Sequence, residues 1–305
     1  MMVASKIGPI MTDFTLIKAD KLTKPATVLI EKISEAVGGI FKPYQIVRVA
    51  KAEVEADRIH ASSQIQITDL HRRAMHRFLE EEANKQLNIE SITQQALPLL
   101  EEKSAPQNIE NDWIINFFDK CRIVSDTTMQ LLWSRILAGE ANNPGGFSRR
   151  TVNLVSDLEK SDAELFANLC CFGWTHENLS ILLYPLVFDV SDEIYNQRDI
   201  YFSNLVQLET LGLVQFDNSG GFVLRKQQKQ LTVSYFGSKV QLIFPNDVDN
   251  HFDLGTTLLT KAGRELASVC APQPIEGFLE YVVKHWEEKN LTPKICETTE
   301  RTSET

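Results

Sequence analysis

The residue types most able to do chemistry gather in "NNPGGFSRRT", residues 142–151. Pro144, Gly145 and Gly146 permit a tight turn, and Ser148 stands where a helix would start. Arg149 and Arg150 bring two guanidinium groups to the positive end of that helix, a combination suited to an anion or a nucleotide phosphate. A structural reading serves the same residues equally well. A loop joining antiparallel helices takes glycine, a cap takes serine, and exposed arginines pair with acids such as Asp157 or Glu140. The spacing excludes a P-loop, because no GK[ST] follows and no strand is expected before it.

Other reactive side chains are less well placed. Cys170 and Cys171 lie shortly before His176, which raises a thiol nucleophile, but they end an apolar helix and no carboxylate is spaced to orient the histidine. His71 and His76 are five apart on a helix, so they do not share a face as a metal pair four apart would. They are expected to be solvated or paired with Glu80 and Asp69. Trp133, among Leu131, Leu132, Ile136 and Leu137, reads as core rather than as a stacking platform. The expectation is a non-enzymatic protein with no cofactor and no bound metal.

A length of 305 residues suffices for two domains, and 43% hydrophobic with 24% charged residues is the composition of a folded, soluble chain. No apolar run reaches the roughly 18 to 20 residues a spanning helix needs, and "MMVASKIGPIMTDFTLIKADKLTK" breaks its apolar patches with lysine and aspartate, so neither a transmembrane segment nor a signal peptide is expected. Cys121, Cys170, Cys171, Cys270 and Cys296 are odd in number and lack CxxC spacing, which predicts no disulfide framework and a reducing, cytoplasmic setting. The formal charge of −10 opposes sequence-independent attraction to nucleic acid.

The fold class expected is mainly α with a C-terminal α+β part. Residues 1–104 carry an amphipathic helix and a long helical arm, 105–187 a four-helix-type bundle, 188–290 a winged-helix-like domain, and 291–305 a disordered tail. In residues 26–41, Leu29, Ile33, Val37, Ile40 and Phe41 form an apolar face that either docks on the protein's own core or meets a partner or a membrane surface. Between Pro43 and Pro98 there is no glycine or proline, and Val49, Ala52, Ala56, Ile59, Ile67, Leu70, Ala74 and Phe78 recur at close to the helical period. This predicts one very long helix or two nearly collinear ones, with "SSQIQITDL" (62–70) the place for a break. Forty or more helical residues would extend roughly 60 Å, too far for a compact body to cover alone, so the arm is expected to build a homo-oligomer or to fold against later helices.

The bundle reads as "DWIINFFDKCRIV", "SDTTMQLLWSRILAGE", "SRRTVNLVSDL" and "SDAELFANLCCF", with Ser125, Ser148 and a Ser161–Glu164 capping box at helix starts. Farther on, "NLVQLETLGLVQF" reads as helix into strand, "NSGG" (218–221) as a hairpin turn, "FVLRK", "LTVSYFG" and "KVQLIFP" as strands, and "TTLLTKAGREL" as a strand leading to a helix capped by Thr260. The candidate recognition helix "FSNLVQLETLG" has no lysine or arginine and carries Glu209, while Arg225, Lys226 and Lys229 form the nearest basic cluster. A protein partner is therefore expected rather than nucleic acid.

The runs "EAVGGIFKPYQIVRVAKAEVEADR", "NIENDWIINFFDKCRIVSDTTMQLLWSRILAGEANNPGGFSRRTVNLVSDLEKSDAELF" and "YFSNLVQLETLGLV" resemble a bacterial family of unknown function, DUF2806, over about residues 32–213, most specifically in 126–151. The helix from Met129 to Glu140 is also similar, more loosely, to one in the abortive-infection alpha proteins of bacterial defence loci. These resemblances imply a cytoplasmic bacterial protein in anti-phage defence or toxin-like growth control, and supply no catalytic residues; defence or stress signalling is the setting expected. The function expected is interaction and oligomerisation. The alternatives are a membrane-acting effector using helix 26–41 and a winged-helix DNA-binding regulator. An enzyme acting on a nucleotide or phosphoester rests on Arg149 and Arg150 alone.

Overall fold

A computed structural model describes residues 23–37, 69–176 and 179–296 of the chain. Helix α1 (Lys24–Val37) spaces Ala26, Leu29, Ile30 and Ile33 along one face and buries all four. That face packs on α3 (Asn111–Cys121). Between them in sequence lies α2 (Asp69–Ala96), whose buried residues, Ile89, Ile92, Thr93 and Ala96, all fall in its last two turns. These turns lie against α4 (Thr127–Asn142). A short polar lock fixes the contact: Ser91 Oγ donates to Gln130 Oε1 at 2.8 Å, and Gln130 Nε2 donates to Asn88 Oδ1 at 3.1 Å and to Val124 O at 2.9 Å. Pro98, which cannot continue an α-helix, falls in the 3₁₀ turn Leu97–Leu99 that follows α2.

Helices α3 and α4 meet through aromatic rings, as expected for Trp133 in a core. Phe117 lies edge-on to Trp133 at 5.2 Å and stacks on Trp113 at 5.0 Å, and Trp113 Nε1 donates to Phe147 O at 2.7 Å. Two helix starts differ from expectation. Asp126, not Ser125, caps α4, its carboxylate accepting from the amides of Thr128 and Met129. Helix α6 (Lys160–Cys170) begins with Glu159 as N-cap, and Asp162, buried at the third position, accepts from the Glu159 amide at 3.0 Å, so the expected Ser161–Glu164 box does not form. In both cases a carboxylate next to the expected serine takes the amides, and its charge favours the positive helix end. Helix α5 (Arg149–Ser156) is capped by Ser148 as expected.

Strands begin at Gly173, ahead of the expected boundary at 188. Strands β1 (Gly173–His176) and β2 (Leu179–Pro185) pair with each other, then α7 (Glu193–Asn196), α8 (Phe202–Thr210) and β3 (Val214–Phe216) follow. After β4 (Val223–Gln227) come β5 (Gln230–Tyr235), β6 (Ser238–Ile243), β7 (Asn250–Asp253), β8 (Thr257–Leu259), α9 (Lys261–Ala267), α10 (Phe278–Glu288) and β9 (Thr292–Cys296). An antiparallel sheet runs in the order β2-β1-β5-β6-β9. The tail expected to be disordered from 291 thus supplies an edge strand, held by backbone pairing to β6 rather than by buried side chains. Its last residues, 297–305, lie outside the described residues.

The turn at 218–221 forms, with Asp217 accepting from the amides of Ser219 and Gly220, but it does not close a hairpin. β3 pairs with β8 and β4 with β7, so the two strands beside the turn have later strands as partners. The tight hairpin is instead β5–β6, where Phe236 and Gly237 both take positive φ, 43° and 90°. Thr260 caps α9 as expected. Gly263 is required there, since a Cβ would lie 2.0 Å from Leu213 O. Trp286 of α10 rests edge-on to Trp174 at 5.0 Å, covering the sheet, and the buried apolar residues from Leu29 to Trp286 form one cluster.

Candidate functional site

The structure does bring Gly145, Gly146, Ser148, Arg149 and Arg150 together at the start of α5. It also fills the place an anion would take with the protein's own carboxylates. Glu140, buried in α4, accepts from the amides of Gly145 at 2.7 Å and Phe147 at 2.8 Å. Glu265, from α9, accepts from the Ser148 amide at 2.8 Å and the Thr151 hydroxyl at 2.6 Å. The Gly146 amide donates to Asn143 O, and Ser148 Oγ caps the Thr151 amide. Burial pushes the Glu140 carboxyl above its ordinary value, and the two amide hydrogen bonds counter that shift. Arg149 and Arg150 stay exposed, outside this network. Glu140 is within reach of sequence reasoning, being five residues before Gly145. Glu265, more than a hundred residues away, carries no local signal.

Two of the buried thiols are biased away from the thiolate. Burial raises Cys121, and Cys170 is raised by its contact with Cys270 and by burial. Cys171 Sγ donates to Ala167 O at 3.4 Å, and burial lowers the pKa of His176 on β1. A nucleophile needs a thiolate, and the surroundings of Cys121 and Cys170 disfavour one. Among the described residues, no three His, Cys, Asp or Glu side chains group as a metal site would require. His76 lies 4.0 Å from Glu80, as expected, whereas Asp69 pairs with Arg72 and Arg73.

The two apolar helices part company. In α1, Leu29 and Ile33 are 0% exposed, and Val37 packs on the core in part. Ile40 and Phe41 lie outside the described residues, as do Val49, Ala52, Ala56, Ile59 and Ile67 of the expected seam. The rest of that seam is open: Leu70 is 65% and Phe78 57% exposed, with Ala74 exposed between them. Met75, Leu79 and Leu87, which the seam did not include, are exposed as well, at 56%, 46% and 48%. Their spacing with Ala83, in steps of four, was legible in the sequence as a second apolar row.

A smaller apolar surface lies on α8. Tyr201, Phe202 and Val206 are exposed, and the Phe202 ring meets Phe216 edge-on at 5.4 Å. Glu209 is occupied by the Phe216 amide at 2.9 Å. Of the basic cluster, Lys229 pairs with Asp247 at 2.6 Å, and Arg225 and Lys226 are exposed on β4. Among the described residues no helix is long and apolar enough to cross a membrane.

A family model described as "Protein of unknown function (DUF2806)" matches residues 72–283. The chain belongs to this family. The DUF2806 match takes in most of the exposed part of α2, the helices α3 to α9 and part of α10, and leaves α1 and β9 outside. Comparison with the curated proteins, and with the solved structures, gave no match.

Proposed function

We propose that this DUF2806 protein is a non-enzymatic interaction protein that assembles through the first half of α2 and presents its body to a protein partner. One observation carries the reading: among the described residues, Leu70, Met75, Phe78, Leu79 and Leu87 all stand exposed on one helix, beyond the turns that pack on the core. Apolar surface of this extent on a folded protein is where a partner binds. The reading takes α3 to α6 as a four-helix-type bundle and the order α8, β3, β8, α9 as a winged-helix-like module. On α8, the exposed Tyr201, Phe202 and Val206, with no lysine or arginine, favour a polypeptide over DNA. Five free cysteines suit a reducing cytoplasm. A bacterial defence or stress-signalling setting is part of this proposal.

A membrane-acting effector would have to pull α1 off the body. Exposing Leu29, Ile30 and Ile33 costs about 1.5–3 kcal/mol per side chain, which holds the helix in place unless a trigger intervenes. A phosphate-binding enzyme would have to expel Glu140 or Glu265 from the loop amides. Light scattering of the full-length chain on a sizing column, over a range of concentrations, tests the reading. A defined oligomer is expected, and a monomer at every concentration would overturn it.

A further inference from the structure

We infer that the occupant of the exposed half of α2 is the same helix of a second copy, running antiparallel, with Met75 of each chain against Phe78 of the other. This deepens the assembly reading above and rests on it.

The seam of α2 repeats in alternating steps of four and three: His71, Met75, Phe78, Glu82, Lys85, Ile89, Ile92, Ala96. That is the 3.5-residue period of a helix pair. Its lower end, Ile89, Ile92 and Ala96, is buried against α4, and Glu82 and Lys85, paired at 2.6 Å, mark where the body's cover stops. Above them the same stripe continues with Phe78 and Met75, more than half exposed. A helix already packed as one member of a pair therefore projects the rest of its seam beyond its partner.

Charge selects the occupant and its direction. After Asp69, which pairs with Arg72 and Arg73, the projecting stretch is basic through His71, Arg72, Arg73 and Arg77, and then acidic at Glu80, Glu81 and Glu82, with Arg77 3.7 Å from Glu81 on the same helix. Two copies side by side in parallel would set arginines beside arginines and glutamates beside glutamates, which repel. Turned antiparallel, with Met75 opposite Phe78 of the second copy, His71–Arg73 comes level with Glu80–Glu82 of that copy, and the reverse pairing follows by the two-fold axis. The antiparallel arrangement also places the two bodies at opposite ends of the paired stretch. A parallel pair would bring both to the same end, where α4 already occupies the seam.

The test uses the full-length chain. The solution mass is expected to be twice 34.6 kDa, and Met75→Glu with Phe78→Glu is expected to halve it while leaving the circular dichroism unchanged, because both positions are exposed. For direction, chains with Met75→Cys are mixed with chains carrying Phe78→Cys, both with Cys296→Ser, then oxidised mildly and mapped by mass spectrometry. A dominant link between positions 75 and 78 supports the antiparallel pair, and a dominant 75–75 link overturns it. An oligomer whose mass the double glutamate variant leaves unchanged overturns this pairing but not assembly through another surface. A monomeric wild type overturns both.

Discussion

Helix α1 and the first half of α2 are both amphipathic, yet α1 spends its apolar face inside the protein and α2 leaves its own in the open. Leu29 and Ile33 are 0% exposed, and Phe78 is 57%. Amphipathicity alone does not separate them. What does is whether the body offers a complementary surface: α3 lies under α1, whereas α4 reaches only the last turns of α2. The loop at 143–148 behaves like α1. Its anion-ready amides are filled from within by Glu140 and Glu265. Features that look ready for a ligand are thus of two kinds, those the fold has already satisfied and those it has left over, and function is to be sought among the second.

Substitutions can sharpen or break this contrast. The largest effect is expected from Leu29→Ala in α1 and Ile92→Ala in the covered part of α2. Each should cost about 2–5 kcal/mol in denaturant unfolding, since each opens a cavity in the core. A loss below 1 kcal/mol for Leu29→Ala would mean that α1 is only loosely docked, and would reopen the membrane reading. Glu140→Gln is expected to cost about 1–3 kcal/mol, because the amide nitrogen it introduces would face a loop N–H, donor against donor.

That variant also reads the sign of a titration. The Glu140 carboxyl is raised above its ordinary 4.5, so between that value and the folded-state pKa the native protein binds more protons than the unfolded chain. Relative to Glu140→Gln, the wild type should be most stable below pH 4.5 and lose that advantage as pH rises through the folded-state pKa. The opposite slope would show that the loop amides hold the charge more firmly than burial opposes it.

Smaller effects follow. Ser148→Ala removes the α5 cap and is expected to cost about 1 kcal/mol in thermal or denaturant unfolding, more if the Glu265 contact at the same helix end is lost with it. Phe78→Ala should change the stability of the dissociated chain by no more than about 0.5 kcal/mol, measured at a concentration low enough to keep it monomeric. A loss like that of Leu29→Ala would show that Phe78 is covered by this chain itself, and the contrast between the two helices would fall.

Much of this was legible from local patterns. Periodicity located the helices from α1 to α6, and composition placed Trp133 in the core and kept "LTVSYFG" and "KVQLIFP" as strands. Cap identity slipped by a residue or two where a carboxylate stood beside a serine, because both groups accept the same amides. Strand pairing was not legible: the turn at 218–221 signals a hairpin, but which strand bonds β3 and β4 depends on residues around 250–259. Nor was β9, whose exposed side chains leave no apolar pattern.

By itself the sequence determined where helices α1 to α6 lie, that β5 and β6 are extended, and that residues 72–283 place it in the DUF2806 family, since these depend on neighbouring residues and their order. Tertiary structure alone decided which apolar face is covered and which loop amides are already engaged. Those outcomes depend on surfaces brought together from distant positions, as when Glu265 reaches Ser148.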